Sequence, residues 1–495
     1  MTDSNSNYSD LPLGWKIVQL QDIAEINPKL PYTDLDDSLT VSFLPMASVE
    51  EVSGKYDLSQ TRLYGEVKKG YTAFINGDII FAKITPCMEN GKIAIVENLQ
   101  NGIGFGSTEF HVSRIKLGLN KRYLFYYFTQ ASFKREARRN MTGSAGQLRV
   151  PKKYFESVEI PLPPLPEQHR IVEKIEELFS ELDNGVASLK KALEQLKTYR
   201  QAVLKWAFEG KLTEKWRNAH QDSLEDADTL LEQIKAERKR HYQQQLEDWK
   251  QALKEWENNG KETKKPTKPQ QPKDLPPLTK EELSNLPSLP DGWMWVKLGN
   301  LCDIIGGVTK GRKLEGKNTI SLPYLRVANV QDGYLDLSVI KYIEVLPEDL
   351  EKYRLVSGDI LYTEGGDRDK LGRGTIWRNE ISDCIHQNHV FRARTFQQLI
   401  KSLYISYFSQ TQTARNHFFK HGKQTVNLAS INITVLSNLP IVLCSTVEQK
   451  LILDEIESRL SVCDQLEATL TENLDKAEAL RQSILKRAFE GKLVL

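Results

Sequence analysis

The chain repeats itself, and the repeat constrains its architecture more tightly than any local pattern. Leu11-Pro12-Leu13-Gly14-Trp15 returns as Leu289-Pro290-Asp291-Gly292-Trp293, and Gly77-Asp78-Ile79-Ile80 as Gly358-Asp359-Ile360-Leu361. Tyr127-Phe128-Thr129-Gln130 returns as Tyr407-Phe408-Ser409-Gln410, and Ala207 to Leu212 returns letter for letter as Ala488 to Leu493. The separations are 278, 281, 280 and 281 residues, so the register survives through both copies. A duplication of that length predicts two similar globules, each large enough for its own core. It also suggests two similar sites about a pseudo-two-fold axis.

Each copy divides into two parts. The first, residues 11–161 and again 289–440, mixes turn signals with short alternating apolar runs. Gly77 to Ala82 and Gly91 to Val96 read as strands opened by turns, and Asp359 to Tyr362 and Gly374 to Trp377 repeat them. One amphipathic helix is predicted from Tyr123 to Arg139 and another from Ser402 to about Phe418. The second part, 162–212 and again 441–495, reads as a long helix. Pro161-Leu162-Pro163-Pro164-Leu165-Pro166 closes the first globule. Beyond it, Ile171, Ile175, Leu178, Leu182, Leu189, Leu196 and Val203 fall on spacings of four and three, with Gly185, Ala192 and Tyr199 completing the seam. The second copy offers Ile452, Ile456, Leu466, Leu470, Leu480 and Ile484, with Cys463 and Ala477 between them and Arg459 and Asn473 intruding. Neither helix can bury such a seam alone, so the two are predicted to pair as an antiparallel coiled coil. The fold class is therefore α+β: two mixed α/β domains alternating with two long helices.

Residues 1–10 read as a disordered tail, and residues 213–288 as a linker. The stretch from Asp228 to Trp256 is charged and helix-prone. Asn258 to Pro277 is rich in Lys and Pro, a composition that buries too little surface to fold alone, and reads as a tether. The five cysteines are scattered with no C-x-x-C pair, which favours a reducing compartment over a disulfide framework or zinc module. No signal pattern opens the chain, and no apolar run reaches the roughly 18 residues of a membrane span, so a cytoplasmic location is expected.

Catalytic motifs fail one by one. Gly102-Ile103-Gly104-Phe105-Gly106 resembles a cofactor loop, but its counterpart from Ser382 to Gln387 has no glycine. Asn27-Pro28-Lys29-Leu30 lacks the second proline and the aromatic of a base-methylating tetrad, and no phosphate-binding loop is present. Glu66-Val67-Lys68 has the form of part of a nuclease metal site, yet its counterpart near Glu348 does not keep it. His386 and His389 lack further ligands at a zinc spacing. No catalytic residue and no metal ligand is assigned, and the chain is expected to catalyse nothing.

Local basic charge does accumulate, although the net charge is only +1. Lys134, Arg135, Arg138, Arg139, Arg149, Lys152 and Lys153 crowd one segment beside the loop Gly143 to Gln147, against the single acid Glu136. The matching place in the second copy holds Arg415, His417, Lys420, His421, Lys423 and Gln424. A second cluster, Arg368, Lys370, Arg373 and Arg378, answers Lys83, Thr85, Asn90 and Lys92 in the first copy. Lys and Arg neutralise phosphates, and Arg and Gln read base edges. Clusters at matching places in both copies point to double-stranded DNA.

The whole pattern resembles the specificity subunit of Type I restriction-modification systems. The resemblance rests on the two Leu-Pro-x-Gly-Trp openings, on Pro161 to Gln168, and on the helix ends Arg200 to Leu212 and Arg481 to Leu493. Lys211 to Arg217 and Leu230 to Arg238 extend it, so that it spans almost the whole chain. The second copy departs at Leu439 to Cys444, where one proline remains of the proline-rich run. The resemblance implies one target recognition domain for each half of a split, asymmetric DNA sequence, with the helices setting the gap. It also implies two adenine methyltransferase subunits using S-adenosylmethionine and two endonuclease subunits using ATP and Mg, with no cofactor in this chain. The alternatives are a stand-alone bivalent DNA-binding protein without methyltransferase partners, and a nuclease or methyltransferase in one chain, which the missing motifs oppose.

Overall fold

The computed structural model describes residues 11–116, 118–144, 146–220, 225–260, 265–366, 371–396, 398–424 and 429–494. These form two compact units: the chain up to Ala192 together with the stretch from Thr469 onward, and Leu193–Ala468. Each unit thus holds one globule and a portion of both long helices.

In the first unit, Ala24–Ile26, Phe110–Ile115, Ile79–Ala82 and Ile93–Ile95 lie side by side as an antiparallel sheet. A second sheet runs Thr61–Leu63, Thr40–Leu44, Ile103–Gly106, Thr72–Ile75, with its two central strands parallel. Lys16–Gln19 pairs with Glu159–Leu162, which ties the start of the globule to its end. The second unit repeats this plan. Cys302–Gly306, Val390–Thr395, Ile360–Thr363 and Gly374–Ile376 form the first sheet, and Met294–Lys297 pairs with Pro440–Leu443. Its second sheet has three strands, Lys341–Val345, Ile320–Leu325 and Ile385–His386.

The repeated Gly-Asp is structural. Asp78 is buried and takes Nε and Nη2 of Arg114 at 2.9 and 2.7 Å, while Asp359 takes those of Arg394 at 2.6 and 2.8 Å. The glycine run is structural too. A Cβ on Gly104 would sit 2.2 Å from the Phe74 ring, and one on Gly106 would sit 2.3 Å from the Leu44 carbonyl. Glu66 caps its own short helix by accepting from the Leu63 amide, and Lys68 pairs with Asp37.

The helix predicted from Tyr123 to Arg139 is two helices, Lys121–Thr129 and Ala131–Arg139. Gln130 between them is extended, at φ −64° and ψ 137°, and Gln482 of the second long helix accepts from the Ala131 amide at 2.7 Å. The helix predicted from Ser402 likewise breaks into Ser402–Ser409 and Gln412–His421, the latter capped by Thr411. Capping residues let the chain turn a corner that periodicity alone does not reveal.

The long helices run Leu165–Phe208 and Thr446–Phe489, 44 residues each, about 66 Å at 1.5 Å per residue. The second starts at the position equivalent to the first despite its lost prolines. In the first unit Ile171, Val172, Ile175 and Phe179 share a core with Ile484, Leu485, Ala488 and Phe489. In the second, Val203, Leu204, Ala207 and Phe208 share one with Ile452, Leu453 and Ile456. The helices also exchange a repeated ion pair: Arg481 with Asp183 in the first unit, and Arg200 with Asp464 at 2.6 Å in the second.

Between these ends the predicted seam is thinner than its spacing implies. Leu178, Leu182, Leu189, Leu196 and Leu470 are only half-buried. Leu466 and Leu480 are exposed, at 49% and 51%, and do not belong to the seam; Cys463 and Ala477 are buried instead. Beside Leu480 the inward place goes to Arg481, whose guanidinium lies 4.3 Å from the centre of the Phe179 ring. Beside Leu466, Arg200 draws Asp464 and Glu467 towards the first helix, which turns the leucine outward.

The linker is more ordered than its composition predicts. Ala227–Asn258 is a single helix, and Leu230, Leu231 and Ile234 are buried in the second unit's core. The Pro- and Lys-rich stretch returns along it rather than trailing as a tether. Asp274 accepts from Arg238 at 3.0 Å, Trp249 donates to the Pro266 carbonyl at 3.1 Å, and Lys268 lies over the Trp249 ring. Arginine and tryptophan anchors on the helix supply the partners that the returning segment lacks by itself.

Candidate nucleic-acid interface

Two repeated devices fix each globule to its helices. Glu167 accepts from the Trp15 indole at 3.1 Å, and Glu448 from the Trp293 indole at 2.7 Å. The adjoining glutamine does the same work in both copies. Gln168 accepts from the Asn120 amide and donates to the Pro163 carbonyl, while Gln449 accepts from the Lys401 amide and donates to the Cys444 carbonyl. The repeated Ala-Phe-Glu-Gly-Lys-Leu run is the second device. Phe489 packs on Tyr123 and Tyr127, and Phe208 on Tyr404 and Phe408. Each globule is therefore closed by the helix end that belongs to the other copy.

On the first globule the basic residues collect around the helix Ala131–Arg139, the hairpin Thr142–Ser144 with Gln147–Arg149, and the loop after Ala82. Arg135 is exposed and has no ion-pair partner among the described residues. Arg138 pairs with Glu89 and Arg139 with Glu136, both near the surface, where such pairs yield readily to phosphate. Lys134 donates to the Glu89 carbonyl at 3.3 Å. Gln147 is exposed at the hairpin, and Thr85 ties the loop to that hairpin by accepting from the Leu148 amide. Arg149 lies against Glu109, with Nε 3.0 Å from Oε2 and Nη2 2.7 Å from Oε1. That hydrogen bond holds the Glu109 carboxyl below its ordinary range, and burial pushes the Lys83 ammonium below its own.

Two of the sequence assignments are committed elsewhere. Lys92 donates to the Met46 and Val49 carbonyls at 3.2 and 2.8 Å, so it braces the globule from within. Asn90 donates to Glu51 at 2.7 Å. On the second globule, Arg415 pairs with Asp332 and Arg373 donates to Gln331, while Lys420 and Lys423 are exposed. Arg368 and Lys370 lie outside the described residues, as does the side chain of Gln424.

His386 is buried and donates Nδ1–H to the Val390 carbonyl, whereas His389 pairs with Glu364. Among the described residues no group of His, Cys, Asp and Glu side chains is gathered for a metal, and no helix is long and apolar enough to cross a membrane. The acids Glu89, Glu109 and Glu364, which hold or replace the basic groups, escaped sequence reasoning. At a separation of 281 the copies set Glu364 against Lys83.

The Type I restriction modification DNA specificity domain matches the chain twice, at residues 12–196 and 290–476. The chain belongs to that family. It is a Type I specificity subunit, a non-catalytic component whose business is DNA recognition. It is 30% identical to the EcoAI specificity subunit of Escherichia coli, over 92% of this chain and 79% of that one. It is equally similar to the Escherichia coli EcoEI specificity subunit, over 96% and 83%. Among solved structures it resembles a chain of a type I R-M system at 20% identity and a TM-score of 0.65, covering 98% of this specificity subunit and 99% of that chain. It also resembles the HsdS subunit of Thermoanaerobacter tengcongensis at 19% identity and a TM-score of 0.52, covering 99% and 100%. These two likenesses bear on the fold.

Proposed function

We propose that this specificity subunit reads a bipartite, asymmetric DNA target, one globule per half, with the helical pair setting the unread gap. The observation that carries the reading is the repetition of construction: the same four-stranded first sheet, the same Trp–Glu and Glu-Gln junctions, and cationic side chains on corresponding segments of both globules. Lys83, Lys134, Arg135, Arg138, Arg139, Gln147 and Arg149 would face the first half-site, and Arg373, Arg415, Lys420 and Lys423 the second. Exposed cations exchange their weak surface pairs for phosphates, while Gln147 at a hairpin tip has the reach for a base edge. The outer faces of the helices and the linker would dock two adenine methyltransferase subunits carrying S-adenosylmethionine. Two endonuclease subunits using ATP and Mg would complete the restricting assembly.

Mapping N6-methyladenine in DNA exposed to the assembled complex tests the proposal. A split motif with a constant unread gap is expected. A continuous motif, or methylation that does not depend on this chain, would refute it.

A further inference from the structure

One spot is built identically in both globules and carries inverted charge. In the first, the Lys83 amide donates to the Glu109 carbonyl at 2.9 Å, and the Val150 amide to the Lys83 carbonyl at 2.8 Å. In the second, the Glu364 amide donates to the His389 carbonyl at 2.9 Å, and the Ile431 amide to the Glu364 carbonyl at 2.7 Å. The backbone thus equates Lys83 with Glu364, Glu109 with His389 and Arg149 with Ser430, at separations of 281, 280 and 281. Both spots adjoin a small sheet that includes the segment after the basic helix: Gln147–Arg149 against Thr142–Ser144, and Ala429–Ser430 against Lys423–Gln424.

The side chains differ in kind. In the first globule Glu109 grips the Nε–Nη2 edge of Arg149, which fixes the guanidinium plane, and Nη1 reaches the Gln147 carbonyl at 3.1 Å. A guanidinium held in this way, with its side chain 41% exposed, offers directed donors. In the second globule Ser430 occupies the position of that arginine. Glu364 offers a carboxylate whose side chain is 30% exposed, oriented by the hydrogen bond between its Oε2 and Nδ1 of His389. Donors match the O6 and N7 acceptors of guanine in the major groove, and a carboxylate matches the N4 amino group of cytosine.

Resting on the reading of each globule as a DNA reader, we propose that Arg149 and Glu364, which occupy neighbouring positions of the same spot, are base-reading residues with opposite preference. Arg149 selects guanine in the first half-site, and Glu364 selects cytosine in the second. Glu109 and His389 act as positioning residues. Inversion of one spot gives a duplicated protein an asymmetric target without altering its fold.

The test selects binding sites from randomised duplexes with the full chain and its Arg149→Gln and Glu364→Gln variants. A glutamine pairs best with adenine. Arg149→Gln should therefore move one position of the first half from guanine to adenine, and Glu364→Gln one position of the second from cytosine to adenine. Discrimination at that position should change about 5- to 150-fold, with every other position kept. A gained preference cannot come from misfolding. Glu109→Gln leaves the arginine in place without its brace and should weaken the guanine preference alone. If the wild-type chain selects a split motif and the variants select the same one, this inference falls while DNA reading stands. Uniform weakening with unchanged preference also overturns it, because the contacts would then be to phosphate. If the wild type selects no sequence, both fall.

Discussion

Glu448 accepts hydrogen bonds from Trp293, Thr213 and Arg217 in a buried pocket, whereas its counterpart Glu167 accepts from Trp15 in a half-buried one. Arg217 comes from the extension beyond the first helix and also lies over the Trp293 ring. Glu448→Gln leaves that arginine buried without its counter-charge, at a cost of about 3 kcal/mol. Glu167→Gln keeps an acceptor for the Trp15 indole, losing only the charge on it, and should cost less than about 1 kcal/mol. Urea midpoints followed by tryptophan fluorescence compare the two, and equal losses would contradict the burial argument. Three histidines make stability depend on pH. Burial holds His111, His386 and His417 at about 4, below the ordinary 6.5, and each donates to a backbone carbonyl as the neutral ring. Below pH 6.5 the unfolded chain takes up protons that the folded chain refuses. Their contribution is therefore complete above 6.5 and lost as pH falls towards about 4, by about 3 kcal/mol per histidine. His111→Gln should flatten that fall by about a third in urea titrations across the window.

At the scale of elements, helix ends matter more than helix middles. Gly491 and Gly210 stop the two helices at φ +69° and +73°, where a Cβ would meet Pro12 at 2.3 Å and Pro290 at 2.5 Å. These are the prolines of the two repeated openings, so the repeated glycine and the repeated Leu-Pro-x-Gly-Trp form one contact. Gly491→Ala should destabilise the first unit by at least about 1 kcal/mol, from the left-handed backbone alone. An unchanged thermal midpoint would show that this closure is not tight. The half-buried middle of the seam tolerates change better. A heptad inserted near Ala192, with a matched one near Asn473, adds about 10 Å of helix and should lengthen the unread gap by about three base pairs. Methylation mapping would reveal an unchanged gap, in which case the helices do not set it.

For the whole molecule, independence of the two readers is the property to test. Replacing residues 11–161 with those of another family member should change one half of the methylated motif and leave the other. Changing Arg138 and Arg139 together to alanine should weaken specific and random duplexes alike and lower the salt slope by about one to two. The same slope as wild type would put the DNA elsewhere. The duplication, the α+β class, both long helices and the basic segments could all be read from the sequence. Each depends on spacing or composition, and these are properties of one chain segment at a time. Other features depended on groups far apart in sequence. Gln482 decides where the helix after Tyr123 breaks, and Arg481 decides that Leu480 faces water. Lys92 spends its ammonium on carbonyls more than forty residues earlier, and Trp249 gathers in the lysine- and proline-rich return. A charge in the sequence has no direction, and only tertiary contacts determine whether it meets a carbonyl, a carboxylate or solvent.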